Sequence, residues 1–211
     1  MLRNTKITKR IIIGFGVVVT LVIILAVVAY RALRTVEQRM ARVIQQDARI
    51  AEHSAMILAK TLSLRRYEKD IFFRIGNRDK VNESFANWND VRSQVEKGIA
   101  NLDEYITGAE QKSITERMRS ELLKYQAGLS KTVERIRAQA PKTRQESDRS
   151  MEEFDEGIQS IEKLAEDLGR VHNEQLEAAS YEAANVANTV QLQLKFLLLI
   201  LVAIAAALGM V

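Results

Sequence analysis

The chain has 211 residues, no cysteine and a formal net charge of +4, which excludes a disulfide framework or a thiolate metal site. One proline and nine glycines leave little to interrupt long helices. The positive excess lies in Arg3, Lys6, Lys9 and Arg10, while residues 31–195 carry 27 basic and 27 acidic side chains. That distribution argues against a polyanion-binding surface and a nucleic-acid partner.

Residues 11–30, IIIGFGVVVTLVIILAVVAY, hold no charge. At about 1.5 Å per residue such a run crosses a hydrocarbon core about 30 Å thick. The basic residues before it and Tyr30 at its far edge predict a cytoplasmic N-terminus, residues 1–10, and a first membrane helix, 11–30. A cleaved signal peptide ending at Val27, Val28 and Ala29 is the competing reading. The apolar run is long for that role and no breaker follows it, which favours a retained anchor.

No glycine or proline occurs over residues 17–75, so the membrane helix is expected to run on unbroken into an outer helix over about 31–75. Gly76 and Asn77 mark a turn, with Asp79 able to cap the next helix, 79–107, which Gly108 ends. A third helix is expected over 110–140, stopped by Pro141, and a fourth over 143–195. From Phe196 the chain is apolar again to Val211. This reads as a second membrane helix, slightly short and apparently truncated, with Lys195 snorkelling at its edge. The outer residues 31–195 then lie in the periplasm of a cell with two membranes, and the inner membrane holds the chain twice.

Heptad spacing unites these helices. Val36, Val43, Ile50, Ile57, Leu64 and Ile71 recur every seven residues, as do Trp88, Val95, Leu102 and Ala109. Leu122, Leu129 and Ile136 follow the same rule, and so do Phe154, Ile161 and Leu168. The predicted fold is all-α: an antiparallel up-down-up-down four-helix bundle flanked by two transmembrane helices.

One row of the first helix departs from the pattern. Met40, Asp47, Ser54, Thr61, Glu68 and Ile75 occupy a core row, four of them polar, and Arg65 and Lys69 interrupt neighbouring apolar rows. Counting heights from the Gly76 turn places Trp88, Asn89, Arg92 and Tyr125 beside them. The candidate binding residues are therefore Arg65, Lys69, Trp88, Arg92 and Tyr125, supported by Thr61, Glu68 and Asn89. Three cations face one carboxylate in this count, and an unpaired buried charge costs about 3–5 kcal/mol. A visiting anion, a small carboxylate gripped by arginine, would balance it. So would an internal ion-pair network, exposure to water or a dimer seam. Arg66 and Asp70, four apart, are expected to form an outward surface pair.

His53 and His172 fall at similar heights, and His172 follows Ile158 and Ala165 on an apolar row, which reads as a core histidine rather than a metal ligand. No Glu-x-x-His, His-Glu-x-x-His, phosphate-cradling glycine loop or cysteine nucleophile occurs, so neither metal nor cofactor is expected, and the chain shows no equipment for catalysis.

Arg65, Arg66, Tyr67, Glu68, Lys69 and Asp70, followed by Ile71, Phe72, Phe73 and the Gly76–Asn77 turn, resemble the Arg-x-x-Glu-Lys-Asp segment of bacterial methyl-accepting chemotaxis proteins. The order of basic N-terminus, membrane helix, outer bundle and second membrane helix resembles their sensory half. The resemblance implies a homodimer, a small-molecule ligand in the distal half, a signal passed inward along the fourth helix, and cytoplasmic signalling partners reached through an output half beyond Val211. In the amino-acid-sensing relatives arginines of the first helix hold the ligand carboxylate at the dimer interface. Arg65 and Arg74 could take that part, with Lys69 departing from the pattern between them. Sensor kinases and diguanylate cyclases carry similar input bundles, and a structural or partner-binding membrane bundle is the reading from another class.

Overall fold

The computed structural model describes residues 4–139 and 143–209, without the side chains of 4–11, 13, 14, 17, 21, 39, 42, 44, 201 and 204–209. The expected basic flank and the Pro141 stop fall outside this description. Five helices follow in order: α1 Asn4–Gln45, α2 Asp47–Phe73, α3 Arg78–Tyr105, α4 Ala109–Arg137 and α5 Arg144–Gly209. The chain forms two compact units, residues 44–176 and residues 1–43 with 177–211.

The first unit is an antiparallel four-helix bundle of α2, α3, α4 and the N-terminal half of α5. Cross-links define its order. Arg74 at the end of α2 bonds Ser84 near the start of α3, and Gln46 bonds the Tyr105 carbonyl at the opposite end. Arg137 of α4 reaches Asn82 of α3, Thr132 of α4 meets Ser150 of α5, and Asp47 of α2 meets His172 of α5. The heptad rows are the core: Ile50, Ile57, Leu64 and Ile71 are fully buried, as are Trp88, Val95, Leu102, Leu129 and Ile161. Burial of such side chains, about 1.5–3 kcal/mol each, holds the helices together.

Local chemistry explains the ends. Gly76 takes a left-handed φ of 95° that its lack of Cβ permits. The cap of α3 is Asn77, whose side chain accepts the Lys80 N–H; Asp79, the expected cap, lies in the first turn instead. Gly108 is the N-cap of α4 rather than a left-handed stop. α4 ends at Arg137, before the expected residue 140, because Gln139 turns left-handed (φ 63°) and the N–H groups of Ala138 and Gln139 take up the last carbonyls. Thr143 caps α5 through the Glu146 N–H.

The expected unbroken passage from first to outer helix is interrupted at Gln46, a single turn residue whose backbone stays in the right-handed region but with a distorted φ (φ −108°, ψ −64°). No glycine or proline causes it. The Gln46 side chain is drawn to the free Tyr105 carbonyl at the end of α3 (3.0 Å), a tertiary demand that outweighs local helix preference. α5, in contrast, is one helix of 66 residues.

In the second unit a 21-residue stretch of α1, Val18–Gln38, is long and apolar enough to cross a membrane. It shares residues 18–30 with the expected span and runs on over Arg31, Arg34 and Glu37. Ile12, Phe15, Ile23 and Ile24 of α1, and Phe196, Leu198, Leu199 and Val202 of α5, turn outward. A soluble core would bury them, whereas a lipid phase accepts them. The second expected span, 196–211, is helical to Gly209, and its last two residues lie outside the described part.

Candidate functional site

The polar row of α2 faces the bundle core: Ser54, Thr61 and Glu68 are at most 1% exposed. Thr61 satisfies itself on the Ile57 carbonyl (2.8 Å), leaving Glu68 as the buried charge. Tyr125 of α4 donates its hydroxyl to Glu68 across the core, and the Lys69 ammonium stands 3.0 Å from the other carboxylate oxygen. The Trp88 indole lies 5.7 Å from the Tyr125 ring and stacks on Phe85. The sequence-predicted residues Glu68, Lys69, Trp88 and Tyr125 are thus brought together.

The surrounding charges alter the expectation of unmatched positive charge. Lys69 also bonds Asp148 of α5 (3.0 Å), and Arg65 reaches Glu162 of α5 (3.4 Å). Arg92 pairs along its own helix with Glu96 (2.9 Å). Every cation of the cluster therefore meets a carboxylate, and the α5 acids Asp148 and Glu162 are members of the cluster that the sequence reading missed. The signal for this pairing lay in antiparallel height: both acids stand opposite the Arg65–Lys69 stretch, but within an acidic helix that reads as solvated surface.

Other predicted members stay apart. Asn89 donates to the Phe85 carbonyl of its own helix, and no hydrogen bond or ion pair joins Arg92 to Arg65 or Lys69 among the described residues. Arg66 and Asp70 form no ion pair there either. One buried donor on α3, Arg92 Nε, has no acceptor among the described residues, while the Trp88 indole N–H is turned to the Tyr125 hydroxyl. Such an orphaned group costs about 1–3 kcal/mol.

Electrostatics follow from burial. Burial pushes the Tyr125 phenol well above its ordinary 10.0, and the Glu68 charge and hydrogen bond add to the shift. Burial alone would lower Lys69, but its bonds and charges with Asp148 and Glu68 outweigh it and hold the ammonium above 10.5. Arg65 and Lys69 keep 37% and 38% of their side-chain surface exposed, so the α2–α5 pairs are reachable from water.

His172, at the other end of the bundle, is buried as expected of a core histidine. Its Nδ1 lies 2.7 Å from Asp47 and its Nε2 3.1 Å from the Gln111 amide nitrogen. An amide nitrogen only donates, so Nε2 accepts and Nδ1–H donates to Asp47. His53 stacks on Tyr105 instead (5.6 Å). Among the described residues no group of three or more His, Asp or Glu is placed to hold a metal ion.

Comparison with curated proteins finds no match. Comparison with protein families finds one whose members are described as a four helix bundle sensory module for signal transduction, over residues 4–189. That span covers α1 to α4 and most of α5, with the buried rows and the α2–α5 ion pairs inside it. By its bundle and by that match, the chain belongs to the four-helix-bundle sensory modules of chemotaxis receptors.

Proposed function

We propose that the chain is the input half of a transmembrane chemoreceptor, and that a small carboxylate binds at Arg65 and Lys69 by exchanging with Glu162 and Asp148. One observation carries this reading: α2 holds this part of α5 through half-exposed ion pairs, one of them long at 3.4 Å. Half-exposed pairs contribute about 0–1 kcal/mol, so a ligand carboxylate competes with them at little cost. Glu68, Tyr125 and Trp88 pack behind the site, whereas Thr61, Asn89 and Arg92, expected around it, bond within their own helices. Exchange frees α5 from α2 and biases its packing, and a ligand of micromolar Kd supplies about 8 kcal/mol, ample to shift two states separated by a few. In this reading the bundle is periplasmic, the chain crosses the inner membrane twice as a homodimer, and an output beyond Val211 meets cytoplasmic signalling partners. A sensor kinase or diguanylate cyclase output fits the same input.

The full chain in lipid nanodiscs tests this with a screen of small carboxylates by thermal shift. Glu162→Gln removes the internal competitor and is expected to tighten binding severalfold, while Arg65→Ala abolishes it. The complete internal pairing favours a second reading, a structural or partner-binding bundle. That reading prevails if no carboxylate shifts the melting temperature and Arg65→Ala lowers it unaided.

A further inference from the structure

The bundle's distal end holds a recess of about 350 Å³ where the close of α2, the start of α3 and the close of α4 meet. This lies at the lower end of the range for small-molecule sites. Val81, 1% exposed, and Ile136, 8% exposed, are its apolar floor, with Ile75 beside them. Arg78 and Arg137 line its polar side, and among the described residues no carboxylate does. This reverses the α2–α5 cluster, where each cation is met.

The Arg137 guanidinium is fixed before any ligand arrives. Its Nε donates to Asn82 Oδ1 (3.0 Å), and its Cζ stands 5.5 Å from the Phe85 ring centroid. Its two Nη groups have no acceptor among the described residues. Arg78 likewise has no ion-pair partner there. As the first residue of a 28-residue helix, Arg78 also sits at the positive end of the α3 dipole. The negative ends of α2 and α4 also meet here, and the Ile71, Arg74, Glu134 and Ile136 carbonyls already accept the N–H groups of Arg74, Asn77, Ala138 and Gln139. A pinned guanidinium and a second free one above an apolar floor form a bidentate grip on a planar anion with an apolar body.

We infer that this distal recess is a second ligand site, within a single bundle, for a small monocarboxylate carrying a ring or short branched apolar portion. The inference stands independently of exchange at Arg65 and Lys69.

Benzoate serves as the probe, with benzamide as its uncharged isostere, titrated against the full chain in nanodiscs by saturation-transfer NMR. Saturable benzoate binding is expected, at least tenfold weaker for benzamide. Arg78→Gln, on an exposed side chain without a partner, should weaken benzoate at least tenfold without changing the melting temperature. Ile75→Trp fills the recess without altering charge and should also remove binding. Absence of saturable benzoate binding overturns the inference, as does binding that survives both variants. Binding lost in Arg65→Ala but kept in Arg78→Gln also overturns it, and moves the carboxylate to the α2–α5 pairs. Loss in Arg78→Gln with Arg65→Ala still binding confirms the recess and leaves the exchange reading to its own test.

Discussion

Glu68 illustrates how a residue can be legible by position and illegible by partner. Its place in a seven-residue row announces burial, and the structure buries it. The hydroxyl that stabilises it comes from Tyr125, 57 positions later, and only the bundle's geometry selects that tyrosine. Tyr125→Phe leaves the carboxylate with Lys69 alone, so a loss of about 1–3 kcal/mol is expected in chemical denaturation. The pH dependence has a definite sign. Tyr125 and Lys69 both have folded pKa values raised above their ordinary 10.0 and 10.5. The stability they add is complete below about pH 10 and is lost as pH rises through the raised values. Melting temperature should therefore fall in the alkaline range, and fall less steeply in Tyr125→Phe.

Helix-to-helix spacing is set by small residues that sequence periodicity does not interpret. At Gly128 of α4 an added Cβ would run into the Phe154 ring of α5, whereas at Gly157 of α5 it would meet only the Glu121 carboxylate tip, 2.8 Å away. A ring lying flat on the backbone must move as a whole to make room, whereas a glutamate tip swings into water. Gly128→Ala is expected to destabilise the bundle by about 1–3 kcal/mol. Gly157→Ala should gain up to about 1 kcal/mol from helix propensity, both read from denaturant midpoints. The same distinction explains what the sequence disclosed about the elements. Repeated apolar rows exposed the four helices and their alternation, since every heptad adds to the signal. The interruption at Gln46 and the Asn77 cap each rest on one side chain reaching one backbone group. Asp148 and Glu162 stayed hidden because pairing between α2 and α5 is visible only once the helices are set side by side.

For the whole molecule, the two units differ in what they do with apolar side chains. Within residues 44–176 apolar rows are buried and most charged side chains lie at the surface. In α1, the stretch Val18–Gln38 buries none of its apolar window inside the protein, and its outward Ile23 and Ile24 suit lipid. Ile24, 55% exposed, lies within both this stretch and the expected span 11–30. An arginine there costs about 2.5–3.5 kcal/mol in insertion, so Ile24→Arg should shift chain from the carbonate-resistant membrane fraction to the soluble one. Unchanged integration would place the membrane contact elsewhere.

The bond between Glu68 and Tyr125 also constrains how such a bundle can be inherited. Either residue altered alone leaves a buried polar group stranded, whereas replacing both by apolar residues of matched volume is nearly neutral. The two positions therefore form one heritable unit split between helices that are not consecutive. A recombination event that brought in an α4 lacking the tyrosine would separate them, whereas a crossover carrying α2 through α4 as a block would keep them together.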